Sequence, residues 1–280
     1  MSNRIDVRKT YKLFINGQFP RSESGRVYEI KSGKDFVANP SQASRKDMRD
    51  AVTAARAAQP GWANATAYNR GQILYRIAEM LEGRTSQFVE EISLLEKVTS
   101  VQAKAQVKQS IDQWVWYAGW ADKIATAFGS TNPVAGPYYN FTIPEPMGVV
   151  GILAPEKPSL LGLVNCLAPV LVSGNTAVLV ASQSAPLTAI TFAEVLATSD
   201  LPAGVCNILT GIKDEIAPWM ASHMDINAMD ISGAAKKTQP ALREAGADNL
   251  KRIFSFSDKA KTQRMTSFLE AKTIWHTIGI

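Results

Sequence analysis

The run from Met147 to Pro186, MGVVGILAPEKPSLLGLVNCLAPVLVSGNTAVLVASQSAP, limits the fold more than any other stretch. Val149, Val150, Ile152 and Leu153 form a short apolar run beside Gly148 and Gly151, the pattern of a buried strand. Ala154 to Pro158 is a Pro-rich turn. Leu160, Leu161, Leu163, Val164, Leu167 and Val170 then recur at helical spacing, and Ser173-Gly174-Asn175 stops the helix. Thr176 to Val180 is a second apolar strand. Strand, turn, helix, glycine stop and strand make one βαβ unit, and such units build parallel sheets. Ligands of such sheets bind at the carboxyl ends of the strands, the place of the turn Ala154 to Pro158.

The flanking sequence extends this pattern. Tyr11 to Phe19 alternates around Asn16-Gly17 and predicts a β-hairpin. A helix from about Arg45 carries Met48, Val52, Ala55 and Ala58 and is expected to end before Pro60. Thr66 caps a second helix with Ile73, Leu74, Ile77, Met80 and Leu81 on its buried face, and Thr85 caps a third. A long fourth helix is expected from Ser100 to Phe128, with Trp114, Trp116, Tyr117 and Trp120 as packing residues. Tyr138 to Ile143 alternates as a strand interrupted by Pro144. Beyond the central unit, helices are expected at 186–198, 215–222 and 234–245, and strands at 205–209, 228–231 and 252–256. The fold class is α/β, a Rossmann-like doubly wound parallel sheet preceded by helices.

Composition narrows the function classes. The net charge of +5 comes from Lys and Arg scattered among acids, which gives no nucleic-acid surface. Cys166 and Cys206 both sit in apolar segments, as buried thiols of a reducing compartment do. The N-terminal MSNRIDVRKT has no apolar core of a secretory signal. The longest apolar segment, Leu160 to Val172, is broken by Asn165 and Pro169, so no membrane span is expected. A cytoplasmic protein is the expectation. His223 and His276 belong to no cluster with metal-ligand spacing, and no Walker pattern, GxGxxG or Ser-centred elbow occurs.

GVVGILAP, LAPVLVSGNTAVLV and LPAGVCNILTG (Leu201 to Gly211) resemble the aldehyde dehydrogenase superfamily. So do the Phe-Ile-Asn-Gly start at Phe14 to Gly17 and the helix Tyr117 to Ile124. FLEAKTIWHTIGI (Phe268 to Ile280) resembles the family's last strand and is most similar to the family 16 type, in which an active unit is followed by a degenerate one. The resemblance implies a hairpin and helical part over 1–137, an arm that crosses to a neighbouring subunit over 138–147, a Rossmann-like part over 148–256, and a linker with a terminal oligomerisation strand over 257–280. The segment that carries the family's nucleophilic Cys has no counterpart between Phe256 and Phe268.

The same resemblance tests the site residues one at a time. Thioester-forming aldehyde oxidation needs a thiolate, a base, oxyanion donors and a nicotinamide. Neither Cys166 nor Cys206 matches the nucleophile, so no catalytic residue is assigned. In the Pro-Trp-Asn turn, Glu156 stands for the Trp and Lys157 for the oxyanion Asn. The Glu base aligns with Phe256, and Asp258-Lys259 replace the two following glycines. The ribose-holding Lys-Pro-Ala-Glu aligns with Val180-Ala181-Ser182-Gln183, so only Gln183 is left to bond a hydroxyl. The phosphate-facing Phe-Thr-Gly-Ser aligns with Ile231-Ser232-Gly233-Ala234. Lys157, Gln183, Gly211, Ser232 and Gly233 are therefore the remnant cofactor-binding set, with turn geometry as the competing role for the glycines and no metal ligands.

The loss of nucleophile, base and cofactor Lys while both arm strands persist points to a noncatalytic structural or assembly subunit. Its expected partners are a second copy of itself, a catalytic aldehyde dehydrogenase, or both. The alternatives are an NAD(P)-dependent aldehyde oxidoreductase that acts only with a partner subunit, and a weak NAD(P)-binding module.

Overall fold

The computed structural model describes residues 9–257 and 261–279. Residues 1–8, 258–260 (with the Asp258-Lys259 pair) and Ile280 lie outside the described residues. The chain starts with two short strands, β1 (Ile30–Ser32) and β2 (Asp35–Ala38), then α1 (Arg45–Asn64), α2 (Ala67–Glu82), α3 (Thr85–Glu96), α4 (Ser100–Ala118) and α5 (Ile124–Phe128). β3 (Ser130–Asn132) and β4 (Tyr138–Pro146) follow. Then come β5 (Val149–Leu153), α6 (Ser159–Val172), β6 (Thr176–Val180), α7 (Leu187–Ala197), β7 (Cys206–Leu209), α8 (Lys213–Ala221), β8 (Ala228–Asp230), α9 (Gln239–Ala245) and β9 (Arg252–Phe254). α10 (Lys261–Thr266) and β10 (Leu269–Thr277) complete the described chain.

Five strands form one parallel sheet in the order β7-β6-β5-β8-β9. Every residue of β5, β6, β7 and β8 is buried, which is why β5 and β6 read as near-continuous apolar runs. Helix α6 lies on one face of the sheet and buries Leu160, Leu163, Leu167, Val170 and Leu171 completely. α1 and α8 cover the other face through Met48, Val52, Ile216 and Met220. A second sheet, β10-β4-β3, is antiparallel and pairs Leu269 with Pro146 through to Thr277 with Tyr138. No helix is long and apolar enough to cross a membrane among the described residues.

The structure departs from the sequence expectations in several places. Tyr11 to Phe19 forms the expected hairpin, though a short one: Ile15 and Gln18 exchange backbone hydrogen bonds of 3.0 Å around Asn16 and Gly17 at φ 52° and 72°, and the Leu13 N–H donates to the Pro20 carbonyl at 3.0 Å. On its outer side the hairpin pairs Phe14 with Ile208, covering the β7 edge of the main sheet. Helix α1 continues through Pro60 because Trp62, one turn from its end, is buried and donates its indole N–H to the Leu171 carbonyl at 3.0 Å. Thr66 caps α2 as expected, whereas Thr85 is the first residue of α3 and its hydroxyl donates back to Glu82. The long fourth helix is two helices, broken at Gly119. Helix α9 starts five residues late, since Pro240 suits only a first turn, where its missing N–H has no partner to lose. Strand β4 runs through Pro144, because β3 pairs with it only as far as Thr142 and leaves that side open. The presumed linker after Phe256 contains α10, which packs on α6.

Candidate functional site

Three turns meet at the carboxyl end of the main sheet: β5–α6, β6–α7 and β8–α9. Between them and the segment around β1 lies a cleft of about 750 Å³, lined by Tyr28, Glu156, Gln183, Ser184, Lys213 and Gly233 among others. Each turn presents backbone N–H groups that would suit an anion. In each, a side chain of the chain itself already accepts from them.

At the start of α6, the carboxylate of Glu96 from α3 accepts from the Ser159 N–H at 2.7 Å and the Ser159 hydroxyl at 2.6 Å. Gln106 from α4 accepts from the Leu160 N–H at 3.1 Å and donates to Glu96. Glu96 and Gln106 are both buried, so this helix start is sealed from the cleft. At the β8–α9 turn, the Asp230 carboxylate accepts from the Ser232 N–H and hydroxyl. The Gly233 N–H donates to the Leu153 carbonyl at 2.9 Å, and that of Ala234 to Ile231. Gly233 is required by space, since a Cβ there would lie 2.1 Å from the Ala154 carbonyl oxygen.

Behind that turn is a buried ion pair. Arg264 from α10 donates to Asp230 at 2.8 Å and to the Cys166 sulfur at 2.9 Å, with side-chain exposures of 3% for the arginine and 0% for the aspartate. Burial pushes the Asp230 carboxyl upward, and Arg264 with the Ser232 donors offsets part of that rise. The Arg264 guanidinium also lies 5.1 Å from the ring centroid of Phe256, which stacks on Phe254 and meets Phe268 edge-on. Burial raises both thiols, Cys166 and Cys206, so neither supplies a thiolate at neutral pH.

The remnant cofactor residues are dispersed. Gln183, Ser232 and Gly233 line the cleft. Gln183 is engaged: its side-chain oxygen accepts from the Lys213 N–H at 3.3 Å. The Ser232 hydroxyl accepts from the Phe256 N–H at 2.9 Å while donating to Asp230. Lys157 is exposed and donates to the Glu96 carbonyl, away from the cleft-lining residues. Gly211, at φ 150°, serves the contact between the end of β7 and the N-terminal segment, where a Cβ would meet Ala43 N at 3.2 Å. Two residues that the sequence did not single out for the cleft dominate it: Glu156, read only as the replacement of a Trp, and Lys213, which is 57 positions away and ion-paired with it. No spacing pattern could have joined them. Among the described residues no group of His, Cys, Asp and Glu is arranged to hold a metal ion.

A family model described as "Aldehyde dehydrogenase family" matches residues 21–255. The chain belongs to the aldehyde dehydrogenase family. It is 34% identical over 264 residues to the cytosolic 10-formyltetrahydrofolate dehydrogenase of Xenopus tropicalis, covering 90% of this chain and 28% of that protein. It is 33% identical over 255 residues to retinal dehydrogenase 2 of Gallus gallus, covering 89% and 48%. The NAD+ complex of an aldehyde dehydrogenase from Bacillus cereus superposes with a TM-score of 0.82 at 27% identity, over 88% of this chain and 50% of that one. This member of the aldehyde dehydrogenase family thus spans half or less of the length of these relatives.

The residues of this aldehyde dehydrogenase-family cleft do not fit the pyrophosphate of an NAD(P) cofactor. The turn amides of Ser232, Gly233 and Ala234 are spent within the protein, and a carboxylate faces the cleft at Glu156.

Proposed function

We propose that this aldehyde dehydrogenase-family chain is a noncatalytic structural or assembly subunit, which pairs with a second copy of itself, with a catalytic aldehyde dehydrogenase, or with both. The observation that carries this reading is the packing of Phe256. By the resemblance it stands for the family's base, and its ring, which can accept no proton, stacks on Phe254, meets Phe268 edge-on and lies beside the Arg264 guanidinium. The fully buried thiols support the same conclusion. The likeness to the degenerate unit of the family 16 type, resting on the strand now seen as β10, and a cytoplasmic location belong to this proposal as well.

The assembly surface in this reading is the β10-β4-β3 sheet. Tyr138, Tyr139 and Trp275 are exposed by 42%, 47% and 62%, a concentration of aromatic surface that partner contacts favour. Nine-residue β10 is an edge of this sheet, and an unpaired edge of that length invites another strand.

The test joins two measurements. The purified chain, given NAD(P) and a panel of aldehydes, is expected to form no NAD(P)H, and its native mass is expected to be that of a dimer or of a mixed complex with a co-expressed catalytic aldehyde dehydrogenase. Turnover by the chain alone overturns the reading, as does a monomer that ignores the catalytic protein. NAD(P)H formation only in a mixed complex would instead favour an oxidoreductase completed by its partner, the second reading, for which the size of the cleft and the position of Gln183 at its wall speak.

A further inference from the structure

The Glu156 carboxylate receives more hydrogen bonds than a surface ion pair explains. One oxygen accepts from the Ser184 N–H at 3.0 Å, the Ser184 hydroxyl at 2.8 Å and the Ser182 hydroxyl at 3.0 Å. The other accepts from the Gln183 N–H at 3.2 Å and from the Lys213 ammonium. Two consecutive amides, two hydroxyls and an ammonium thus converge on one point at the carboxyl end of β6. Such a set of donors is the chemistry that binds a phosphate or carboxylate group.

The cradle is held by groups other than the Glu156 carboxylate, among them the Glu156 carbonyl, which the Ser182 hydroxyl reaches at 2.9 Å. Ser182 is 3% exposed and its hydroxyl also accepts from the Ala185 N–H at 3.0 Å. Gln183 fixes the start of α8 by accepting from the Lys213 N–H at 3.3 Å. Lys213 is 8% exposed and its ammonium donates to the Ala154 carbonyl as well as to Glu156. Glu156 is different: its side chain is 44% exposed, against 9% for that of Lys213, and it reaches the donors from the cleft side. Glu96 and Asp230, which fill the other two turns, are buried and closed off. Only the Glu156 position is open to solvent.

We infer that the β6–α7 turn with Lys213 is an anion-binding cradle of the phosphate class, filled from within by the Glu156 carboxylate, so that the chain carries its own ligand and rejects phosphate-bearing ones. The inference does not depend on whether the chain assembles or turns over an aldehyde. A phosphate approaching the filled cradle meets a like charge with all five donors already engaged. Once the carboxylate is removed, the donors remain, with Lys213 the only charge among them.

The test uses the full chain and its Glu156→Ala variant, with inorganic phosphate and ADP as probes and sodium chloride at equal ionic strength as the control. Calorimetry and thermal melting are read together. The wild-type chain is expected to give no heat and no rise in melting temperature. E156A is expected to bind phosphate or ADP with affinity improved by about 10- to 100-fold, the range that a charge-assisted hydrogen bond supplies. A gain with phosphate alone assigns the affinity to the anion, and a gain with ADP only adds a contribution from the nucleoside; both support the cradle. The double variant E156A/K213A is expected to lose the gain. E156Q, which keeps the shape without the charge, is expected to show the gain to a smaller degree, and it serves if E156A does not fold. A wild-type chain that binds ADP as well as either variant overturns the inference. So does a folded variant that binds neither probe, since Glu156 would then be only a strut between two turns.

Discussion

At the scale of single residues, the side chains that matter most at this site are charges in unusual places. Burial alone would raise the Glu156 carboxyl, but Lys213 and the Ser184 donors outweigh it and bring it down to about 2 from an ordinary value of 4.5. A carboxyl whose folded value is depressed contributes stability that is complete above the unfolded value and is lost as pH falls toward the folded one. The chain should therefore lose stability between about pH 4.5 and 2, and E156Q should flatten that acid limb, as melting temperatures across the range will show. Asp230 and Arg264 present the opposite case, a pair with almost no solvent contact. Truncating one partner strands the other charge in the interior, so Arg264→Ala should cost about 3–5 kcal/mol in urea unfolding. The double variant D230A/R264A should be less damaging than the sum of the single changes, because neither charge is then left alone.

At the scale of elements, the parts legible in the sequence were those whose burial pattern repeats. β5, α6 and β6 follow from apolar runs and from a helical spacing that ends at Gly174, and the structure places them within a residue or two of those bounds. Periodicity was silent where a single tertiary contact decides. Trp62 and its bond to Leu171 carry α1 past Pro60, and the hairpin finds the β7 edge through Phe14 and Ile208, 194 positions apart. The site was less legible than the fold for the same reason. Glu156 meets Lys213 and Asp230 meets Arg264 across 57 and 34 positions, separations that no local pattern encodes. The motif Ser232-Gly233 is recognisable as a turn, yet only the folded chain shows its amides turned inward to Asp230 and Leu153. One consequence is testable at this scale. Gly233→Ala would force the β8–α9 turn off the β5–α6 turn, because the atom in the way is the backbone oxygen of Ala154 and cannot rotate aside. The expected loss is about 3 kcal/mol, the upper end for overpacking, measured by denaturant unfolding.

At the scale of the whole molecule, two sheets divide the work. The parallel sheet holds the core and the cleft, and the antiparallel sheet holds exposed aromatic residues along β4 and β10. If β10 is an assembly edge, a proline in its middle should remove donors from that edge and lower the native mass without touching the main sheet. Thr273→Pro is a suitable change, checked by light scattering for mass and by far-UV circular dichroism for the retained fold. A chain that keeps its dimer mass with this substitution would place the contact elsewhere.

The pairing of Asp230 with Arg264 also has a consequence for the order in which the protein can be made. Asp230 is synthesised 34 residues before the guanidinium that neutralises it. At about 5–20 residues per second, β8 leaves the ribosome roughly 2–7 seconds ahead of its partner. Throughout that interval the Asp230 carboxyl has the Ser232 donors but no cation, which makes its entry into the sheet costlier. Closure of the β5–β8 junction is therefore expected to wait for α10, which protease sensitivity of nascent chains halted before and after Arg264 would show.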